Sequence, residues 1–117
     1  MEELYKKKCV PCESKTKAFS DEQIREHLKK TDGWQAFAED NVKGIRKNLR
    51  FIDFRSALGF ANEIGDIAEF EGHHPSLNLH DWNQLTITLF TFAIKGISEN
   101  DFIMAAKIDR ALKESEE

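Results

Sequence analysis

Apolar residues recur along the chain with two periods, and their alternation predicts a helix, two strands, a helix, two strands and a final helix. Ser20 and Gln23 have the spacing of a capping box. Ile24, His27 and Leu28 then form one narrow helical face, which ends at Thr31-Asp32-Gly33. Residues 34–39 alternate, with Trp34, Ala36 and Ala38 set against Gln35, Phe37 and Glu39, as a strand requires. Asp40-Asn41 reads as a turn, and residues 45–51 alternate again with Ile45, Leu49 and Phe51 on one side. Two such runs around a short polar turn predict a hairpin.

Asp53 is placed to cap a longer helix reaching to about Glu71. Phe54, Ala57, Leu58, Ala61, Ile64 and Ala68 follow the spacing of one buried stripe. Gly59 and Gly65 weaken this helix slightly, and they are expected to allow close packing on a sheet. Gly72 to Pro75 ends it, because proline disfavours helical geometry at the preceding residue. A short strand is expected at 77–79. The strongest strand signal covers 83–92, with Leu85, Ile87 and Leu89 facing one way and Thr86, Thr88, Phe90 and Phe92 the other. Ser98 opens the last helix with Asp101 three residues on, and Ile97 and Phe102 have the spacing of a hydrophobic staple. Lys107, Arg110 and Lys113 suit its C-terminal end. The expected fold is α+β, with three helices packed on one face of a four-stranded antiparallel sheet. Residues 1–18 read as a polar arm and residues 19–117 as a single domain.

A chain of 117 residues suits one domain with one core. The net charge of −4 argues against a nucleic-acid backbone as partner, since phosphate binding needs surplus Lys and Arg. No apolar run approaches the roughly 20 residues of a membrane span. MEELYKKK lacks the apolar segment of a secretory signal, so the expected compartment is the cytoplasm.

The candidate chemistry lies in Glu69-Phe70-Glu71-Gly72-His73-His74-Pro75. Imidazole, with an ordinary pKa of about 6.5, both gives and takes protons near neutrality. Carboxylates at Glu69, Glu71 and Asp101 would favour its charged form. Two other readings stand beside acid–base work: metal ligation completed by Glu69 or His80, and two plain surface histidines. Cys9-x-x-Cys12 reads as half a zinc site, a redox pair or, more simply, reduced structural thiols. Phe90 and Phe92, on a face without helices, would be exposed to a ligand or a partner subunit.

The spacing Glu69-x-x-x-His73-His74-Pro75, then Trp82-Asn83, then Leu85-x-Ile87-x-Leu89-x-Thr91 resembles the pterin-4a-carbinolamine dehydratase family. Gly96 to Phe102 and Ala105 to Asp109 are similar to its closing segment, and Lys8 to Glu13 to the arm of many bacterial and plastid-type members. The resemblance implies dehydration of a 4a-hydroxytetrahydropterin to quinonoid dihydropterin, within tetrahydrobiopterin recycling for aromatic amino acid hydroxylases. It implies no cofactor or metal, and a homodimer or homotetramer. It makes His73 and His74 the catalytic, pterin-contacting pair and Glu69 and Asp101 their supporting carboxylates. Gly72, Pro75, Trp82, Phe90, Thr91 and Phe92 complete the implied substrate-binding set.

One position departs from the family. A third histidine, in some members a tryptophan, directly follows the threonine of the last strand, and here that residue is Phe92. A phenylalanine ring stacks but carries no proton. The departure implies a slower dehydratase, or else a pterin-binding, scaffolding or coactivator module that has lost catalysis.

Overall fold

Ser20 caps the first helix through both halves of the predicted box. Its hydroxyl accepts from the Gln23 amide (3.2 Å), and the Gln23 side chain accepts from the Ser20 amide (2.8 Å). Such a cap contributes about 1 kcal/mol. The computed structural model describes residues 4–10 and 17–115. Its helices are α1 (Asp21–Leu28), α2 (Phe54–Glu71) and α3 (Glu99–Ser115), and its strands are β1 (Gln35–Glu39), β2 (Val42–Arg50), β3 (Ser76–His80) and β4 (Gln84–Leu89). The strands form one antiparallel sheet in the order β1-β2-β4-β3. Asp40 and Asn41 both take positive φ in the β1–β2 turn, the backbone a tight hairpin needs.

Register sorts the sheet into two faces. Ile45 pairs with Leu89 and Leu49 with Leu85, and Ile87 lies between them; this face is buried under the helices. Full burial of Leu85, Ile87 and Leu89 stabilises the fold by about 1.5–3 kcal/mol per side chain. The opposite face is polar, with Thr86, Asn48, His80 and Gln84 bonded to one another. Strand alternation puts Gly44 on this side, where the Phe37 ring crosses it. A Cβ there would stand 2.6 Å from that ring and 2.8 Å from the Leu89 carbonyl.

Several expectations shift. On α2 the buried stripe is Ala57, Phe60, Ile64 and Ala68, while Phe54 and Leu58 face outward. Gly59 and Gly65 do not mark close packing, since nothing lies within 4 Å of a Cβ at either. In β1 only the preceding Trp34 is buried; Ala36 and Ala38 sit exposed on an edge strand. Trp34 Nε1 donates to Asp109 on α3 (3.0 Å), and Lys47 Nζ does the same (2.9 Å). Burial pushes the Asp109 carboxyl up, against the pull of these two donors. β4 stops at Leu89, short of the expected 92, and a 3-10 turn follows at Phe92–Ile94.

The arm does not hang free. Leu4 and Cys9 belong to the core cluster, and Leu4–Lys6 forms a 3-10 turn packed on α3. Cys12, the other half of the cysteine pair, lies outside the described residues.

Candidate active site

Helix α2 ends where the sequence changes from apolar stripe to Gly72. This glycine takes φ +72°, and its amide donates to the Ala68 carbonyl (2.8 Å). Only glycine adopts that backbone without a penalty of roughly 1 kcal/mol. The reversal turns the next two residues back over the helix end before Pro75 leads into β3.

The two histidines then part company. His73 is buried, with its side chain 8% exposed, and its Nε2 lies 2.7 Å from Asp101 Oδ1. His74 is 59% exposed, and its Nε2 lies 2.6 Å from Glu69 Oε2. A carboxylate only accepts, so in both rings Nε2 carries a hydrogen.

Asp101 is fully buried on the first turn of α3. Its Oδ2 accepts from the Ser98 amide (3.0 Å) and the Thr91 hydroxyl (2.8 Å). Thr91 has one hydroxyl proton, given to Asp101, so Ser98 Oγ donates across the 2.6 Å between the two hydroxyls. The Ser98–Asp101 spacing, visible in sequence as a helix start, thus also builds the seat for His73.

The remaining site residues separate. Thr91, expected on the substrate's side, is fully buried beneath the site. Phe92 is 79% exposed beside it, its ring 6.5 Å from that of half-buried Phe90. Trp82 stands elsewhere. It occupies the β3–β4 turn with φ +55°, at the far end of β3 from His74. Five strand residues intervene, on the order of 16 Å of extended chain. Within one chain Trp82 therefore does not wall the histidine pair. His80, weighed as a fellow ligand, bonds Asp81, Asn48 and Thr86 instead.

Glu71 does not bond to either histidine. Its buried carboxylate accepts from the Cys9 amide (2.8 Å) and pairs with Lys107 (3.2 Å). Burial alone pushes this carboxyl up, but the Cys9 amide, Lys107 and Lys8 outweigh it and hold it below the ordinary 4.5. A depressed carboxyl adds stability above its unfolded value and loses it as pH falls through the folded one. Acidification below about pH 4.5 is therefore expected to weaken the fold through Glu71. Glu71→Gln should flatten that acid limb in a series of thermal melts, and an unchanged limb would refute the assignment.

Three helices against one face of a four-stranded antiparallel sheet, with two histidine–carboxylate pairs at the second helix exit, define an α+β domain built around paired imidazoles. Comparison with known proteins gives the family. Residues 17–111 match the model of the pterin 4 alpha carbinolamine dehydratase family, and the chain belongs to that family. It is 41% identical over 92% of its length to pterin-4-alpha-carbinolamine dehydratase 2, mitochondrial, of Arabidopsis thaliana, and spans 58% of that relative. It is 38% identical over 94% of its length to a protein of Rubrobacter xylanophilus named provisionally for the same enzyme, and spans 99% of it. The crystal structure of a transcriptional coactivator/pterin dehydratase from Brucella melitensis superposes with a TM-score of 0.72 at 31% identity, covering 80% of this chain and 97% of that one.

Proposed function

We propose that this chain dehydrates a 4a-hydroxytetrahydropterin to the quinonoid dihydropterin, with His73 and His74 handling the protons. The observation that carries the reading is the division of two adjacent imidazoles between two carboxylates, one pair buried and one exposed. In the reaction the bond from C4a to oxygen breaks, a C4a–N5 double bond forms, and the N5 proton departs. His74 is the base for that proton. Glu69 holds the Nε2 hydrogen, which leaves Nδ1 as an acceptor facing solvent. His73, whose Nε2 hydrogen is held by Asp101, acts as an imidazolium and gives its Nδ1 proton to the departing hydroxyl, which leaves as water. Positioned acid–base groups of this kind contribute typically about 10²–10⁴ in rate. Neither role calls for a metal or cofactor. The same reading takes the active form as a homodimer or homotetramer in the cytoplasm, in a pathway that serves an aromatic amino acid hydroxylase.

Phe92 favours a second reading, a pterin-binding scaffold with little turnover, because an exposed phenyl ring stands where a third proton carrier is implied. Stopped-flow dehydration of 4a-hydroxytetrahydropterin separates the two. The enzyme reading expects turnover well above the uncatalysed rate, and a wild type at that rate would hand the case to the scaffold. Phe92→His should raise kcat severalfold, with the roughly 10²–10⁴ that a well-positioned acid–base group supplies as the upper bound. No gain in that variant would sink the idea that Phe92 limits the rate.

A further inference from the structure

The site is presented by two separate segments: the exit of α2, which carries His73 and His74, and the first turn of α3, which carries Asp101. The described part of the arm bonds to both. At α2, the Cys9 amide donates to Glu71 Oε1 (2.8 Å), and Lys8 Nζ donates to the Phe70 carbonyl (2.7 Å). Glu71 is two residues before His73. At α3, the Asn100 side chain donates to the Val10 carbonyl (2.7 Å) and accepts from the Val10 amide (3.0 Å). Asn100 directly precedes Asp101. Lys7 pairs with Glu99 (2.9 Å), and Lys107 reaches both Glu71 (3.2 Å) and the Tyr5 carbonyl (2.8 Å).

We infer that the arm is a strap that sets the spacing of His73 and Asp101, with Glu71 and Asn100 as positioning residues for the dehydration. This inference rests on the reading of His73 as a proton donor. Three observations support it. The reciprocal pair between Asn100 and Val10 has the form of a strand pairing, so it fixes direction as well as distance. Glu71 and Asn100 are buried, at places where a bland surface contact would use exposed side chains. The arm residues between them, Cys9 and Val10, are consecutive, so slack at one anchor is transmitted to the other.

The test uses the full-length chain with Val10→Pro, which removes one strap donor at an exposed position, with thermal melts recording any effect on the preceding core residue Cys9. Glu71→Ala and Glu71→Gln complete the set, because glutamine keeps the acceptor for the Cys9 amide. Two readouts are taken below the melting temperature: kcat and KM by stopped flow, and the ring nitrogen resonances of His73 by NMR. Val10→Pro and Glu71→Ala are expected to lower kcat about tenfold, short of the roughly 10²-fold that a 1 Å misplacement can bring. KM should stay within about twofold, the His73 resonances should shift, and Glu71→Gln should restore most of kcat. Unchanged kcat and unchanged His73 resonances, with only a lower melting temperature, would overturn the inference and leave the arm a stabilising element. If Glu71→Ala does not fold, Val10→Pro decides alone. Should wild-type turnover equal the uncatalysed rate, the function reading fails, and the His73 resonances still judge the strap.

Discussion

Asp101→Asn is expected to leave the protein folded and to cut turnover by about 10²–10⁴. Asparagine fits the same space, and its carbonyl still accepts from the Ser98 amide and the Thr91 hydroxyl. Its amide group, however, then points at His73 Nε2. Two donors cannot face each other across the 2.7 Å that now separates His73 from Asp101, so the imidazole must move its proton to Nδ1 or swing away. Either response removes the carboxylate-held imidazolium that the proposed dehydration uses. The stability change should be small, about 1 kcal/mol, and thermal melts alongside stopped-flow assays separate the two effects. Full turnover in Asp101→Asn would mean that His73 does not act through this carboxylate.

His73→Ala and His74→Ala should diverge. Removing His74 takes away an exposed ring bonded to an exposed carboxylate, and surface changes of that kind stay within about 0.5 kcal/mol. Turnover should still fall by about 10²–10⁴. Removing His73 opens a cavity and leaves Asp101 a buried charge that has lost one of three partners. Breaking a buried pair in this way costs about 3–5 kcal/mol. His73→Ala is therefore expected to melt far below the wild type and to lose activity as well. Equal stability in the two variants would contradict the burial difference, and unchanged turnover in His74→Ala would remove it from the proton path.

Much of the fold was legible because its signals are local. Ser20–Gln23, Asp40-Asn41 and the alternation of Leu85, Ile87 and Leu89 each act within a few residues. The misreadings share a long-range cause. Helix α2 has apolar residues around much of its circumference, so two stripes were available, and only the packing of the sheet chooses Phe60 over Phe54 and Leu58. Strand β4 looked three residues longer because Phe90 and Phe92 continue the alternation. It ends at Leu89 where Thr91 turns its hydroxyl to Asp101, ten residues on. At the site, His73, His74, Glu69 and Asp101 were visible as chemistry. Their partition into a buried pair and a wet pair was not, because the burial of a loop histidine depends on what lies opposite it. Glu71 was visible as a carboxylate, but its bond to the arm, like that of Asn100, was not, since each finds its partner some sixty to ninety positions away.

The αL turn at Gly72 gives two neighbouring histidines different evolutionary exposure. A lineage that abandoned the chemistry could lose His74 at almost no structural expense, yet would keep His73 and Asp101 because the core needs them. Among descendants of this fold, a retained buried histidine is thus a weak sign of a working enzyme. On the proposed mechanism, the wet one at the next position is the residue whose disappearance would record that the chemistry had been given up.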